Sequence, residues 1–335
     1  MPFRLGMLGM WHVHAHGMVR RVAEHKDEFQ LVGFYDTDPA TARERARAWE
    51  PVLGAVPLYK SPDELLGQPL DGVLVEGRVY ENLRLAQLAL ESGKPVLLEK
   101  PAGNDRSEYR KLVELARRKH LHVQMAYLFR YMAAVQELIR RVRAGALGRI
   151  YLFRGRLPKG LDEYTRLQDE LKPYPGGVFF EMAGHLIDLM VTLLGKPKQV
   201  QSFLGHHRAG HKGTFVDNAL AVFAYDHAWG IVESCALEVA KGTRRIEVYG
   251  DAGAAVIPHL GSGHLANPLT ERLELYRPEQ SAWQTLELPA APLQIADLRE
   301  FAACCRGRKT PDWTLDHDIV VQELLLQASG MGSDQ

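Results

Sequence analysis

The stretch Val96-Leu97-Leu98-Glu99-Lys100-Pro101 decides how the rest of the chain is read. Its apolar run reads as a buried strand of a parallel sheet, and it stops abruptly at an acid, a base and a proline. In open α/β sheets the carboxyl ends of the strands face the ligand crevice, so a lysine at that position can reach a bound substrate or cofactor. Pro101 restricts Lys100 to extended backbone and cannot itself extend a ladder. For an isolated Glu-Lys-Pro, a strand ending at the surface in a solvated ion pair is the alternative. The flanking sequence decides between the two.

Upstream, strand and helix signals alternate. Phe3 to Leu8 is a short apolar run entering Gly9, and the helical pattern of Val13, Met18, Val19 and Val22 follows. Phe29 to Tyr35 reads as a strand ending in Asp36, after which Asp38-Pro39 supplies an N-cap and first-turn proline for a helix through Trp49. A third strand is expected at Val56 to Tyr59, before the capping-box spacing of Ser61-Pro62-Asp63-Glu64. Gly72 to Val75, a helix Glu81 to Ser92 closed by Gly93, and Pro95 to Leu98 follow, then a helix Arg106 to Lys119 and a strand His120 to Met125. Six such units call for a parallel sheet with helices on both faces, and right-handed crossovers make it doubly wound.

The turn after the first strand points to a dinucleotide. G-x-G-x-x-G at that place lets the backbone bend tightly and offer helix N-terminal amides to a pyrophosphate. Here it reads Gly9-Met10-Trp11-His12-Val13-His14, so only the first glycine of the pattern is in place. Gly9, Met10, Trp11 and His12 are the expected cofactor contacts. Asp36, 27 residues after Gly9 at the end of the second strand, is placed to accept from an adenosine ribose diol. A carboxylate there repels a 2′-phosphate and no arginine follows it directly, which favours NAD over NADP. His12, His14 and His16 invite a metal, but alternating spacing puts His12 and His16 on one helical face and His14 elsewhere, with no acid or cysteine near in sequence. The expectation is no metal, the histidines lining the dinucleotide loop.

Downstream, Tyr127-Leu128-Phe129-Arg130-Tyr131 leaves the sheet, a helix runs from Met132 to Ala144, and Arg149 to Leu157 alternates as a strand. A helix expected over Val178 to Leu194, closed by Gly195, sets Glu181, His185 and Asp188 at i, i+4 and i+7 on one face of an otherwise apolar surface. A buried polar stripe must meet partners or line a cavity. One outcome is a self-satisfying core pair of Glu181 and His185. The other is chemistry: a neutral histidine suits removal of a hydroxyl proton near pH 7, Glu181 can orient and polarise it, and Lys100 can favour the alkoxide. After Gly195 the chain turns to β, with short strands at Val200 to Leu204, Asn218 to Tyr225, Ile231 to Val239, Thr243 to Tyr249, Ala254 to Ile257, Arg272 to Tyr276 and Thr285 to Leu288. Such a sheet is largely antiparallel with helices on one face, leaving the other for self-association. Pro158 to Pro175 reads as a loop whose Lys159, Asp162, Tyr164 and Arg166 offer polar groups either to substrate hydroxyls or simply to solvent. Ile295 to Cys305 and Leu315 to Ala328 are closing helices.

Asp36, the segment Gly93-Lys94-Pro95-Val96-Leu97-Leu98-Glu99-Lys100-Pro101 and the Glu181 to Asp188 helix together resemble the glucose-fructose oxidoreductase and inositol dehydrogenase family, Gfo/Idh/MocA, over nearly the whole chain. The resemblance implies an N-terminal Rossmann-type domain over 1–126 and a C-terminal α+β substrate-binding and oligomerisation domain with a large, mostly antiparallel open sheet over 127–335. It implies an NAD(P)-dependent oxidoreductase that moves a hydride between nicotinamide and a secondary hydroxyl or carbonyl of a sugar, polyol or related compound, assembled as a homodimer or homotetramer. It adds Glu99 and Asn82 to the cofactor contacts, and Tyr127, Arg130 and Asp188 to the substrate contacts, beside Tyr164 from the loop. Trp11 and His14 stand where the family usually has glycine, Asn82 where it often has histidine, and Glu181 where it usually has aspartate. Two other outcomes of the same fold are transient use of bound NAD for elimination or hydrolysis, and a non-catalytic dinucleotide-binding protein.

Composition agrees. At 335 residues two domains are the default. Lys plus Arg and Asp plus Glu both number 41, a net charge of zero that makes no case for nucleic acid or anionic membrane. Without an N-terminal targeting pattern, a run approaching the ~20 apolar residues of a membrane span, or a cysteine framework, a soluble cytoplasmic protein is expected.

Overall fold

The structure is a computed structural model that describes residues 1–211, 213–240, 243–261, 270–290 and 292–332. It divides into two compact units, Met1–Ala126 with Pro292–Ile319, and Tyr127–Ala291 with Val320–Gln335.

The first unit is built from β1 (Phe3–Leu8), α1 (Val13–Glu24), β2 (Phe29–Tyr35), α2 (Pro39–Leu53), α3 (Pro62–Leu66), β3 (Gly72–Val75), α4 (Val79–Glu91), β4 (Val96–Leu98), α5 (Arg106–Lys119) and β5 (Val123–Met125). Its parallel sheet has the order β2-β1-β3-β4-β5. β3, β4 and β5 are buried at every residue, as strands covered on both faces must be. Helix starts follow local chemistry: Asp38 accepts from the amides of Ala40 and Thr41, Ser61 from Glu64, and Asp105 from Glu108. The sheet has five strands rather than the expected six. Val56 to Tyr59 contributes one bridge, Leu58 to Phe34, because Pro57 has no amide to donate and the segment pairs through a single residue.

The segment 292–319, expected in the second domain, belongs to the first unit. Its helix Leu293–Cys305 places the Phe301 ring edge-on to Phe3 at 5.8 Å and buries Asp297, which accepts from Gln124 Nε2 at 2.6 Å. Gly72 permits this packing, since a Cβ there would lie 2.6 Å from the Phe301 ring.

The second unit holds α6 (Ala133–Arg143), β6 (Ile150–Arg156), α7 (Tyr164–Leu171), α8 (Gly177–Met182), α9 (Gly184–Leu194), β7 (Gln199–Gly205), β8 (Asn218–Ala224), β9 (Trp229–Cys235), β10 (Arg245–Gly250), β11 (Gly253–Ile257), β12 (Thr270–Tyr276) and β13 (Trp283–Pro289). Two helices close the chain, α10 (Leu293–Cys305) and α11 (Leu315–Ala328). The eight strands run in the order β13-β12-β11-β10-β6-β9-β8-β7, antiparallel except for β6 beside β9. On β8 and β9 buried residues alternate with half-buried or exposed ones, so one face carries helices and the other is open. Phe203, Leu220, Val222, Trp229 and Ile231 share the open face by register. On the covered face α9 rests on two glycines: Leu186 lies over Gly155 of β6 and the Met190 sulfur over Gly230 of β9. Two expectations change here. Val178 to Leu194 is two helices meeting at Ala183, whose carbonyl accepts from both Leu186 and Ile187, and the Pro158 to Pro175 loop contains α7.

Candidate active site

In the first unit the carboxyl ends of β1, β2, β3 and β4 gather the polar residues. Gly9 turns the chain with φ of 80°, and a Cβ on it would lie 2.3 Å from the backbone nitrogen of Gly77, so this glycine meets both a conformational and a steric demand. Asp36 stands beside that turn, its Oδ2 accepting from the Met10 amide at 2.6 Å and its Oδ1 from the Asp38 amide at 2.8 Å. Burial raises the Asp36 carboxyl above its ordinary range, against the pull of these amides and of Arg78. Arg78, which the sequence reading passed over, brings Nη1 to 3.9 Å from Asp36 and its guanidinium to 5.7 Å from the Trp11 ring centroid. No local signal marks it, because it lies 42 residues beyond Asp36 at the start of α4.

Glu99 and Lys100 end β4 as expected and both are buried, so the motif is no solvated surface pair. The Lys100–Pro101 bond is cis. Glu99 accepts from His14 Nδ1 at 3.1 Å through both oxygens. Burial alone would raise the Glu99 carboxyl, but His12, His14 and Lys100 together hold it below its usual range. Burial in turn lowers the His14 imidazole from its ordinary value despite Glu99. Glu76 ends β3 in the same way that Glu99 ends β4, a signal available in the sequence and not used. It is 1% exposed, its Oε2 has no hydrogen-bond partner, and burial and Glu99 push its carboxyl well up. Asn82 is buried too, with Oδ1 lacking a hydrogen-bond partner and lying beside Gly77. The expected histidine geometry is corrected: His12 caps α1, its ring lies 4.6 Å from that of His14, and His16 is exposed.

The cofactor candidates Gly9, Met10, Trp11, His12, Asp36, Asn82, Glu99 and Lys100 therefore share one end of one sheet. A dinucleotide fits this end: the Gly9 cradle admits close backbone approach, Asn82 keeps a buried acceptor open to a ligand, and Asp36 presents a carboxylate at the second strand.

In the second unit His185, on α9, is stacked on Phe129 at 4.6 Å with the Tyr127 ring edge-on at 5.9 Å. Three residues later Asp188 meets Arg130 in a forked ion pair: Nε reaches both carboxylate oxygens at 3.1 and 3.0 Å, and Nη2 reaches Oδ1 at 2.6 Å. Arg130 also lies over the Tyr127 ring at 4.9 Å. Tyr127, Arg130 and Asp188 thus form a buried frame around His185. Glu181 is half-buried on α8, before the break at Ala183. Tyr164 belongs to another cluster. Its hydroxyl donates to Asp217 at 3.0 Å, Arg208 covers its ring at 3.9 Å, and burial with Asp217 pushes its phenol up to about 12.

A five-stranded parallel nucleotide unit with a glycine turn and strand-end acid, followed by an open-sheet α+β unit, defines a class: dinucleotide-binding oxidoreductases of two-domain build. Residues 3–127 match the oxidoreductase family with an NAD-binding Rossmann fold, and residues 135–256 match the GFO/IDH/MocA C-terminal domain. The chain belongs to the Gfo/Idh/MocA family. Among its relatives, the NAD(+)-dependent scyllo-inositol 2-dehydrogenase of Bacillus subtilis is 26% identical over 92% of this chain and 86% of its own. Human trans-1,2-dihydrobenzene-1,2-diol dehydrogenase is 27% identical over 55% of this chain and 54% of its own. In fold, the chain superposes on UDP-N-acetylglucosamine 3-dehydrogenase GnnA from Acidithiobacillus ferrooxidans with a TM-score of 0.80 at 18% identity, over 99% of this chain and 98% of the other. Among the described residues no helix is long and apolar enough to cross a membrane.

Proposed function

We propose that the protein is an NAD-dependent dehydrogenase or reductase acting on a secondary hydroxyl or carbonyl of a sugar, polyol or related polyhydroxylated compound. The observation that carries this reading is the buried Lys100 ammonium at the carboxyl end of β4, in a unit whose family binds NAD. A lysine taken out of water at a strand end is costly unless it has work on a ligand or on neighbouring acids. Bound NAD supplies the hydride acceptor, or as NADH the donor. The chain supplies the rest. Lys100 donates a hydrogen bond to the substrate oxygen and favours its alkoxide character. His185 takes the hydroxyl proton in oxidation and returns it in reduction, and Glu181 helps orient the imidazole. Phe129 and Tyr127 hold the ring plane, and Arg130 with Asp188 fixes the helix that carries it. Small polyhydroxylated substrates are supported by the inositol dehydrogenase relative.

Asp36 favours NAD by repelling a 2′-phosphate. Arg78, 3.9 Å from that carboxylate, favours a second reading in which NADP is also accepted. Lys100→Ala and His185→Ala should each lower kcat by about 10²–10⁴-fold, and His185→Ala should leave the NAD Kd from isothermal titration within about threefold of the parent protein. Near-normal turnover in either variant would end the assignment. Cofactor that stays bound through turnover with no net change at the nicotinamide band would instead indicate transient oxidation.

A further inference from the structure

We propose that His12, His14, Glu99 and Glu76 form a binding site for one borderline divalent transition metal, zinc being the best fit, at the glycine turn of the first unit. The side chains come from the start of α1 and from the ends of β3 and β4, elements far apart in sequence; those of His12, His14 and Glu99 gather their ligand atoms together, and Glu76 approaches His12 from outside that trio. One ligand atom from each of His12, His14 and Glu99 lies within 4.8 Å of the others. His14 Nδ1 is 3.1 Å from Glu99 Oε1, His12 Nδ1 is 3.7 Å from the same oxygen, and His12 Nδ1 is 3.8 Å from Glu76 Oε2. Metal–ligand bonds of about 2.0–2.1 Å in a tetrahedron put neighbouring ligand atoms about 3.3 Å apart, close to the spacings of Glu99 from His14 and His12, and Glu76 completes the shell by moving in beside His12.

Glu76 is the independent pointer. It is 1% exposed and its Oε2, which faces His12, has no hydrogen-bond partner. A buried carboxylate oxygen left this way is costly, and a cation is the ligand that satisfies it best. Lys100 acts electrostatically on both Glu76 and Glu99, yet its one charge faces two carboxylates. Two imidazoles and two carboxylates suit zinc or its neighbours rather than calcium or magnesium, which prefer all-oxygen shells. The His12 imidazole exchanges its long 3.3 Å bond from the His14 amide for the metal. An ion there ties the first turn of α1 to the ends of β3 and β4, the role that glycines two and three of the fingerprint leave open in this chain.

The test uses the full chain, stripped with chelator and free of dinucleotide, so that its outcome is separate from that of the proposed activity. Cobalt(II) chloride should bind at one equivalent per chain with the intense visible bands of tetrahedral nitrogen and oxygen coordination, and zinc chloride should displace it. Glu76→Gln and His14→Ala should weaken cobalt binding at least tenfold, whereas His16→Ala, an exposed neighbour, should leave it unchanged. Circular dichroism confirms folding, and His14→Gln replaces His14→Ala if the latter does not fold. Absence of stoichiometric binding, pale octahedral spectra only, or parental affinity in Glu76→Gln and His14→Ala would each overturn the site.

Discussion

Asp188→Ala should destabilise the second unit far more than its small change in volume suggests. Both partners of the Arg130–Asp188 pair are withdrawn from water, with side-chain exposures of 2% and 1%, and three nitrogen–oxygen contacts of 2.6 to 3.1 Å join them. Deleting the carboxylate takes the forked acceptor away from a guanidinium that stays buried over Tyr127. Breaking a buried pair by removing one partner costs about 3–5 kcal/mol, whereas replacing both with apolar side chains of similar size is often neutral or better. At about 2–4 °C per kcal/mol for a unit of this size, the single change should lower the melting temperature by about 6–20 °C. Arg130→Met with Asp188→Leu should recover most of that loss. Thermal unfolding followed by circular dichroism, with the two units' transitions fitted separately, gives both numbers. A shift below about 2 °C for Asp188→Ala, or a double variant as unstable as the sum of its single changes, would refute the view of this pair as a coupled buried ion pair. Even where stability is recovered, the double variant should lose turnover, since Asp188 lies one helical turn beyond the proposed base.

Asp36→Ala should weaken NAD binding at least tenfold by isothermal titration, because it removes the carboxylate proposed to meet the ribose and frees the Met10 and Asp38 amides it holds; unchanged affinity would move the ribose elsewhere. The His206 ring faces the carbonyls of Phe215 and His211 at 3.0 Å each, so both its nitrogens must carry protons, and these carbonyls with Asp217 raise its pKa. With the folded pKa above the unfolded value near 6.5, this tie is complete below about pH 6.5 and fades as pH rises through the raised value. Amide exchange in 206–211 should therefore be slower at pH 6 than at pH 9 after correction for intrinsic rates, and His206→Gln should abolish the difference. Phe203 and Trp229 are 56% and 57% exposed on the open sheet face, so changing both to Glu should convert an oligomer to monomer in light scattering. An unchanged mass would clear this face of that role.

The parts of this molecule legible in sequence are those whose signal is local. Apolar strands that end in an acid mark β2 and β4, and proline after aspartate or serine marks the starts of α2 and α3. Alternation in β8 and β9 announces a sheet with one covered face. What escaped depends on contacts distant along the chain. Arg78 reaches Asp36 only after α2, α3 and β3 have been laid down, and Glu76 meets His12 because β3 lies beside β1. The helix through Glu181 and His185 shows one unbroken pattern, yet tertiary packing splits it at Ala183, which periodicity does not record. The membership of 292–319 in the first unit is likewise decided by Phe301 and Asp297 finding Phe3 and Gln124, not by any boundary in composition.

Gly155 and Gly230 act as a gauge for the layer above them. With hydrogen as their only side chain, they let α9 descend until Leu186 and the Met190 sulfur touch the sheet backbone; a Cβ at Gly230 would stand 2.2 Å from that sulfur. A methyl at either position must push aside the Met190 thioether or the Leu186 side chain, or move the helix that carries them together with His185 and Asp188. The strands beneath the proposed base thus set the thickness of the layer that carries it, and alanine at either glycine tests whether that layer yields in its side chains or in the position of the imidazole.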